Sequence, residues 1–136
     1  MAFNNFFIID DDIEDSDLLV EALALLKKNS QCYVASNGEE ALKKLNANIV
    51  PAPDFIFLDL NMPRLNGIQF LVEIKESCAF RNIPIVIYTT SSSPRDREET
   101  KRLGAYCFLT KPNTFDEICK AVNSILTIHN VSVEIE

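Results

Sequence analysis

Five short apolar runs, each followed by an amphipathic run, constrain how this chain folds more than any other feature. The apolar runs cover residues 6–9, 32–35, 55–58, 85–88 and 106–109. Each has strand length, and most are rich in β-branched or aromatic side chains. None alternates cleanly with polar residues, which is the pattern of strands covered on both faces. The amphipathic runs carry helix-start signals. Ser16 can cap the first, and Ser36 with Glu39 makes a capping box for the second. Asn66 opens the third, and Ser93, Pro94 and Asp96 supply cap, first-turn proline and third-position acid for the fourth. Thr114 with Glu117 boxes the fifth, whose Phe115, Ile118, Cys119, Val122, Ile125 and Leu126 form one apolar stripe.

Strands alternating with helices predict an α/β fold: a doubly wound (βα)5 three-layer sandwich around a parallel five-stranded sheet. The order 2-1-3-4-5 is carried over from flavodoxin-like sheets with this pattern, whose ligands collect beyond the carboxyl ends of the strands at the switch between strands 1 and 3. No repeat, low-complexity tract or Gly/Ser linker divides the 136 residues, and that length suits one domain. Thirteen Lys and Arg against twenty Asp and Glu give a net charge of −7, which disfavours a nucleic-acid partner. No stretch of ~18 consecutive apolar residues predicts membrane insertion. The apolar start at residues 6–9 is too short, and lacks the basic lead, for a signal peptide. The expected compartment is therefore the cytoplasm. Cys32, Cys78, Cys107 and Cys119 form no C-x-x-C pair, so the expectation is reduced core thiols rather than a zinc or redox site.

The residues that follow the strands carry the chemistry. Asp10, Asp11 and Asp12 follow the first, Asp59 the third, Thr89 and Thr90 end the fourth, and Thr110, Lys111 and Pro112 end the fifth. In the expected sheet these groups meet on one edge. Clustered carboxylates repel one another and are costly to bury unpaired. A hard divalent cation relieves that conflict, and oxygen-only ligands suit Mg²⁺. Asp10, Asp11 and Asp59 bring a charge of −3 when ionised, which one Mg²⁺ and Lys111 balance. A carboxylate in such a balanced site can act as a nucleophile toward phosphorus. Metal, lysine and hydroxyl would hold the phosphoryl oxygens. Asp12, Glu14 and Asp15 read instead as solvated acids at a helix start.

These pieces, FFIIDDD, DFIFLDLNMPRLNG, IPIVIYTT and YCFLTKP, together resemble a response-regulator receiver domain of two-component signalling, stand-alone in the manner of the chemotaxis regulator. The resemblance runs from about Asn5 to Ile128. It implies that Asp59 is the phosphorylated aspartate, that Asp11 ligates Mg²⁺ directly and Asp10 through water, and that Asn61 ligates through its backbone carbonyl. Thr89 resembles the switch hydroxyl and Lys111 the active-site lysine, with a cis peptide before Pro112. Gly67 falls where the family turns from loop into helix 3. The aromatic switch position is Phe108, which has no hydroxyl, so any inward movement is driven by burial alone; Tyr106 sits outside that role. The implied function is phosphorelay signal transduction. Asp59 accepts a phosphoryl group from a sensor histidine kinase or histidine phosphotransfer protein, with a downstream protein target or a second copy as reader. The domain spans 1–130, with a tail at 131–136, and no attached output domain is expected.

Several features stay open at this level. The fourth helix, 94–103, reads PRDREETKRL and has one strongly apolar residue, so it is either a solvated helix or an element poised to shift. The first helix is apolar nearly all round. With Leu18, Leu19, Ala22 and Leu26 as its core face, Val20 and Ala24 point outward, by chance or as a docking patch for kinases and phosphotransfer proteins. Val131, Val133 and Ile135 alternate in a strand pattern that either frays or pairs. His129, the single histidine, reads as a surface residue. Two other functions compete. An aspartate-nucleophile phosphatase would use Asp10 and Asp12 as D-x-D, but leaves DLNMP and TKP unexplained. A pseudo-receiver binding module usually lacks one of the key residues, and here Asp10, Asp11, Asp59, Thr89 and Lys111 are all present.

Overall fold

The computed structural model describes residues 5–135, with side chains described for 5–127. The strands are β1 (Asn5–Ile9), β2 (Gln31–Ala35), β3 (Phe55–Leu58), β4 (Ile85–Thr89) and β5 (Cys107–Thr110). They form one parallel sheet in the order β2-β1-β3-β4-β5, as expected. Register pairs Phe6 with Phe55, Ile56 with Ile85 and Thr89 with Thr110, so the carboxyl ends line one edge. The three inner strands are buried almost throughout, and the outer two are only partly covered. That explains the unbroken apolar runs: successive side chains point to opposite faces, and both faces are core.

The helices are α1 (Ile13–Leu26), α2 (Gly38–Asn46), α3 (Gly67–Glu76), α4 (Pro94–Arg102) and α5 (Phe115–Ile135). Phe6, Ile8, Phe55 and Phe57 pack with Leu19 and Leu23 of α1 and Ile118 and Val122 of α5. Phe7, Ile9, Ile56 and Leu58 pack on the other face with Leu45 of α2 and Phe70 and Ile74 of α3. Burying each such phenylalanine contributes roughly 2–3 kcal/mol.

The start signals hold for three helices. Asn66 and Gln69 form a reciprocal capping box, Ser93 caps α4 ahead of Pro94, and Thr114 accepts from the Glu117 N–H. Two starts shift. Asp12, not Ser16, caps α1, and Ser16 is buried, donating its hydroxyl to the Asp12 carbonyl. Asn37, not Ser36, caps α2, and Glu40 rather than Glu39 reaches back, to the Ser36 N–H. The core face of α1 is also rotated from the expected one. Ser16, Leu19, Ala22 and Leu23 are buried, while Leu18 is exposed and Val20 half-buried against the core.

Three other expectations need correction. The peptide before Pro112 is trans, the intrinsically preferred isomer, and among the described residues none is cis. The segment 131–135 is not a strand: α5 continues to Ile135, and no Gly or Pro interrupts the chain after Phe115. Cys78 is exposed rather than in the core, since α3 ends at Glu76 and the chain turns outward; all four thiols are free. His129 has its side chain outside the described residues.

Candidate phosphoryl-transfer and metal site

The site is built on the loops that leave the strands. Hydrogen bonds between neighbouring strands carry on past the strand ends. Asp10 N–H donates to Ala35 O at 3.0 Å, Asp59 N–H to Ile9 O at 2.9 Å, and Lys111 N–H to Thr89 O at 2.7 Å. The acidic and basic groups are thus mounted on the rigid sheet edge, and the switch between β1 and β3 puts Asp10 and Asp59 side by side. Asp10 is 4% exposed and Asp59 6%, whereas Asp11 lies in the open.

Carboxylate oxygens of Asp10, Asp11 and Asp59 all lie within 4.8 Å of one another. Lys111 closes the site from β5. Its Nζ is 2.8 Å from Asp10 Oδ2, 2.8 Å from Asp15 Oδ2 and 3.8 Å from Asp59 Oδ2. The buried Tyr88 ring lies beneath the ammonium, 5.8 Å from Nζ to its centroid. Burial pushes the Tyr88 hydroxyl up to about 12. Burial pushes the Asp10 carboxyl up to about 6 as well, helped by repulsion from Asp59 and opposed by Lys111 and the Asp12 N–H. Burial acts to lower Lys111, but its close contacts with Asp10 and Asp15 outweigh it and hold the lysine above its ordinary value; the contact with Asp15 is a hydrogen bond, whereas that with the buried Asp10 Oδ2 is an ion pair without hydrogen-bond geometry.

This donor set fits a hard divalent cation. All its side-chain ligands are oxygens, and Asp11 offers an open approach. Asp10 already accepts from the Asp12 N–H at Oδ1 and meets Lys111 at Oδ2, so a bridging water is its natural route to an ion. Asn61 is exposed on the loop after β3, two residues beyond Asp59. Thr89 is fully buried at the end of β4, and its Oγ1 accepts from the Ser91 N–H at 3.3 Å. Phe108 is half-buried beside α4, below the Arg97 guanidinium, which sits 4.6 Å from the ring centroid.

Gly67 packs against the backbone that carries Asp59. A Cβ there would fall against the Asp59 carbonyl oxygen and 2.6 Å from Leu60 Cα. Only a residue without a side chain lets α3 approach this closely. Asp15 departs from its sequence-based expectation. It is not a solvated helix-start acid but an ion-pair partner of Lys111. The available signal was phase: Asp15 stands four and seven residues before Leu19 and Ala22, on the inward face of α1.

Comparison with known proteins agrees with this geometry. The family model described as "Response regulator receiver domain" matches residues 6–123. Response regulator Rcp1 of Synechocystis sp. is 30% identical over 122 residues, covering 87% of this chain and 83% of Rcp1. The solved Mn(2+)-bound form of Rcp1 superposes with a TM-score of 0.81 at 29% identity, covering 90% of this chain and 91% of that one. The phosphorylated cyanobacterial phytochrome response regulator RcpA gives a TM-score of 0.83 at 31% identity, covering 91% of each chain. The CpxR homolog of Haemophilus influenzae, a transcriptional regulatory protein, is 35% identical over 123 residues, which is 90% of this chain but 50% of that relative. With its sheet order, its acidic cluster and these matches, the chain belongs to the response regulator receiver domain family, the signalling modules of phosphorelay signal transduction.

Proposed function

We propose that this domain accepts a phosphoryl group on Asp59 in a Mg²⁺-dependent reaction and passes the signal on through protein contacts. The observation that carries the reading is the convergence of Asp10, Asp11, Asp59 and Lys111 at the switch point of the sheet. The donor is a phosphohistidine on a sensor histidine kinase or phosphotransfer protein. An Asp59 carboxylate oxygen forms the new bond to phosphorus. The phosphorus–nitrogen bond breaks, and its electron pair stays on the imidazole. Asp11, Asp59 and the Asn61 carbonyl would hold Mg²⁺, with Asp10 acting through water. When bound, the ion neutralises carboxylate charge and draws density from the phosphoryl oxygens. Lys111 and Thr89 supply N–H and O–H donors to those same oxygens. Residues 1–130 form the working unit in this reading, and the cytoplasm is its compartment. No helix among the described residues is long and apolar enough to cross a membrane.

Intact-mass analysis after acetyl phosphate and Mg²⁺, on wild type and Asp59→Asn, tests this. Wild type should gain one phosphoryl group only with Mg²⁺, mapped to Asp59, and the variant should not. Labelling of Asp59→Asn as full and as fast as wild type would refute the assignment. A label on Asp10 would instead favour the phosphatase reading, and no label at all a pseudo-receiver binding module.

A further inference from the structure

We infer that Asp15 is a positioning residue that withholds Lys111 from Asp59 until a phosphoryl group arrives, and so restrains phosphoryl entry. This rests on the reading of Asp59 as the phosphoacceptor. The ammonium of Lys111 has three N–H donors. Two of its close partners are Asp10 and Asp15, each at 2.8 Å, while Asp59 lies 3.8 Å away, beyond hydrogen-bond reach. Its third N–H falls short of Asp59 from this position, so serving the phosphoryl oxygens draws Lys111 toward Asp59 and lengthens one of its two short contacts.

Asp10 is the poor candidate to yield. It is buried, and its other oxygen is fixed by the Asp12 N–H at 2.9 Å. Asp15 sits at the rim, its side chain 32% exposed, so water can replace the lysine at its carboxylate. A cleft of about 290 Å³, lined by Asp15, Leu18, Thr90, Lys111 and Phe115 among others, gives the released carboxylate room to turn. The backbone of Asp15 stays anchored meanwhile, because its N–H donates to the Asp12 cap. The exchange of partners is therefore local to two side chains. It also gives the contact a direction: Asp15 stabilises the lysine position of the unphosphorylated state and opposes the position the transferring phosphoryl group requires.

Phosphorylation by acetyl phosphate with Mg²⁺ isolates the step. The bond from phosphorus to the acetyl oxygen breaks, acetate leaves with the electron pair, and an Asp59 oxygen binds phosphorus. Asp15→Asn, with Asp15→Ser as a second variant, should be phosphorylated about three- to tenfold faster than wild type, because a preplaced donor lowers the barrier. Asp17→Asn, an exposed acid on the same helix, removes equal charge and should stay within about twofold of wild type. In a Lys111→Met background, Asp15→Asn should give no acceleration, since the effect acts through the lysine. The inference is overturned if both Asp15 variants, folded by circular dichroism, react no faster than wild type. It is equally overturned if the acceleration persists without Lys111 or is matched by Asp17→Asn. Those outcomes leave Asp59 labelling in wild type intact, whereas absence of wild-type labelling removes the proposed function itself.

Discussion

Asp10 shows how one buried carboxyl links metal binding to folding. Its pKa rises from 3.8 to about 6, first through burial and then through Asp59, against the partial relief from Lys111 and the Asp12 N–H. An acid raised on folding favours the folded state while protonated. That contribution is full below pH 3.8 and is lost as pH rises through about 6, leaving an ionised, poorly solvated group at neutral pH. In metal-free protein, Asp10→Asn should therefore favour the folded state more at pH 7.5 than at pH 4, even though Lys111 loses a partner in exchange. Urea denaturation at the two pH values measures the difference, and an equal effect at both would show that the carboxyl's ionisation is not the cause. Millimolar Mg²⁺ should stabilise wild type more than the variant, because the variant keeps the direct ligands but brings one fewer negative charge to the ion.

Among the elements, α4 is held least by apolar packing. Thr100 is its one buried residue, and that hydroxyl returns to the helix's own Asp96 and Arg97 carbonyls. Its other ties are polar and peripheral: the Ser93 cap, the Ser91 hydroxyl on Asp96 at 2.7 Å, and Arg97 over Phe108. A helix held this way should open locally at little cost. Hydrogen exchange before phosphorylation should find Pro94–Arg102 the fastest of the helices, and protection equal to the first three turns of α5 would contradict that. The sheet and most helices were legible because their signals are local: unbroken apolar runs, Asn66 with Gln69, Ser93 before Pro94. The start of α1 was ambiguous because Asp10, Asp11, Asp12 and Ser16 are all good caps, and the choice depends on where the strand releases the chain. Asp15 and Lys111 are 96 residues apart, so no local pattern reports their contact. Arg64 and Leu65 adopt left-handed φ values of 49° and 66°, which neither residue favours; the Gly38 N–H, from α2, bonds the Leu65 carbonyl there. In the acidic site, residue types named Asp10, Asp11, Asp59 and Lys111, which the fold brings together, while the long-range partner Asp15 had to come from the fold.

At the scale of the molecule, the site must communicate with a surface that another protein can read. In the proposed function, Thr89 and Phe108 would mark the route. The Thr89 hydroxyl accepts from Ser91, whose carbonyl accepts from Thr110 of β5 and whose hydroxyl reaches Asp96 of α4. A phosphoryl group that draws Thr89 away therefore disturbs the anchor of α4 and the end of β5 together. Phe108 borders a cleft of about 310 Å³ between those elements, with Arg97, Thr100, Lys101, Ala105 and Tyr106. Inward movement of its ring would break the stack with Arg97, a contact of about 0.5–1 kcal/mol at an exposed site, and would recover part of that through burial. A contact this weak would suit a switch biased by one added charged group. Beryllofluoride, which mimics the phosphoryl group, should change hydrogen exchange across Pro94–Arg102 and Cys107–Thr110 in wild type. Thr89→Ala and Phe108→Ala should weaken that change while still binding beryllofluoride at Asp59. At −7, the readers of this surface should be proteins, a second copy included, and random duplex DNA should not bind at physiological salt. Sedimentation and fluorescence anisotropy separate these outcomes. If beryllofluoride leaves the exchange of both segments unaltered in wild type, the route through Thr89 and Phe108 is wrong; if DNA binds in the activated form, the assignment of proteins as the readers is wrong.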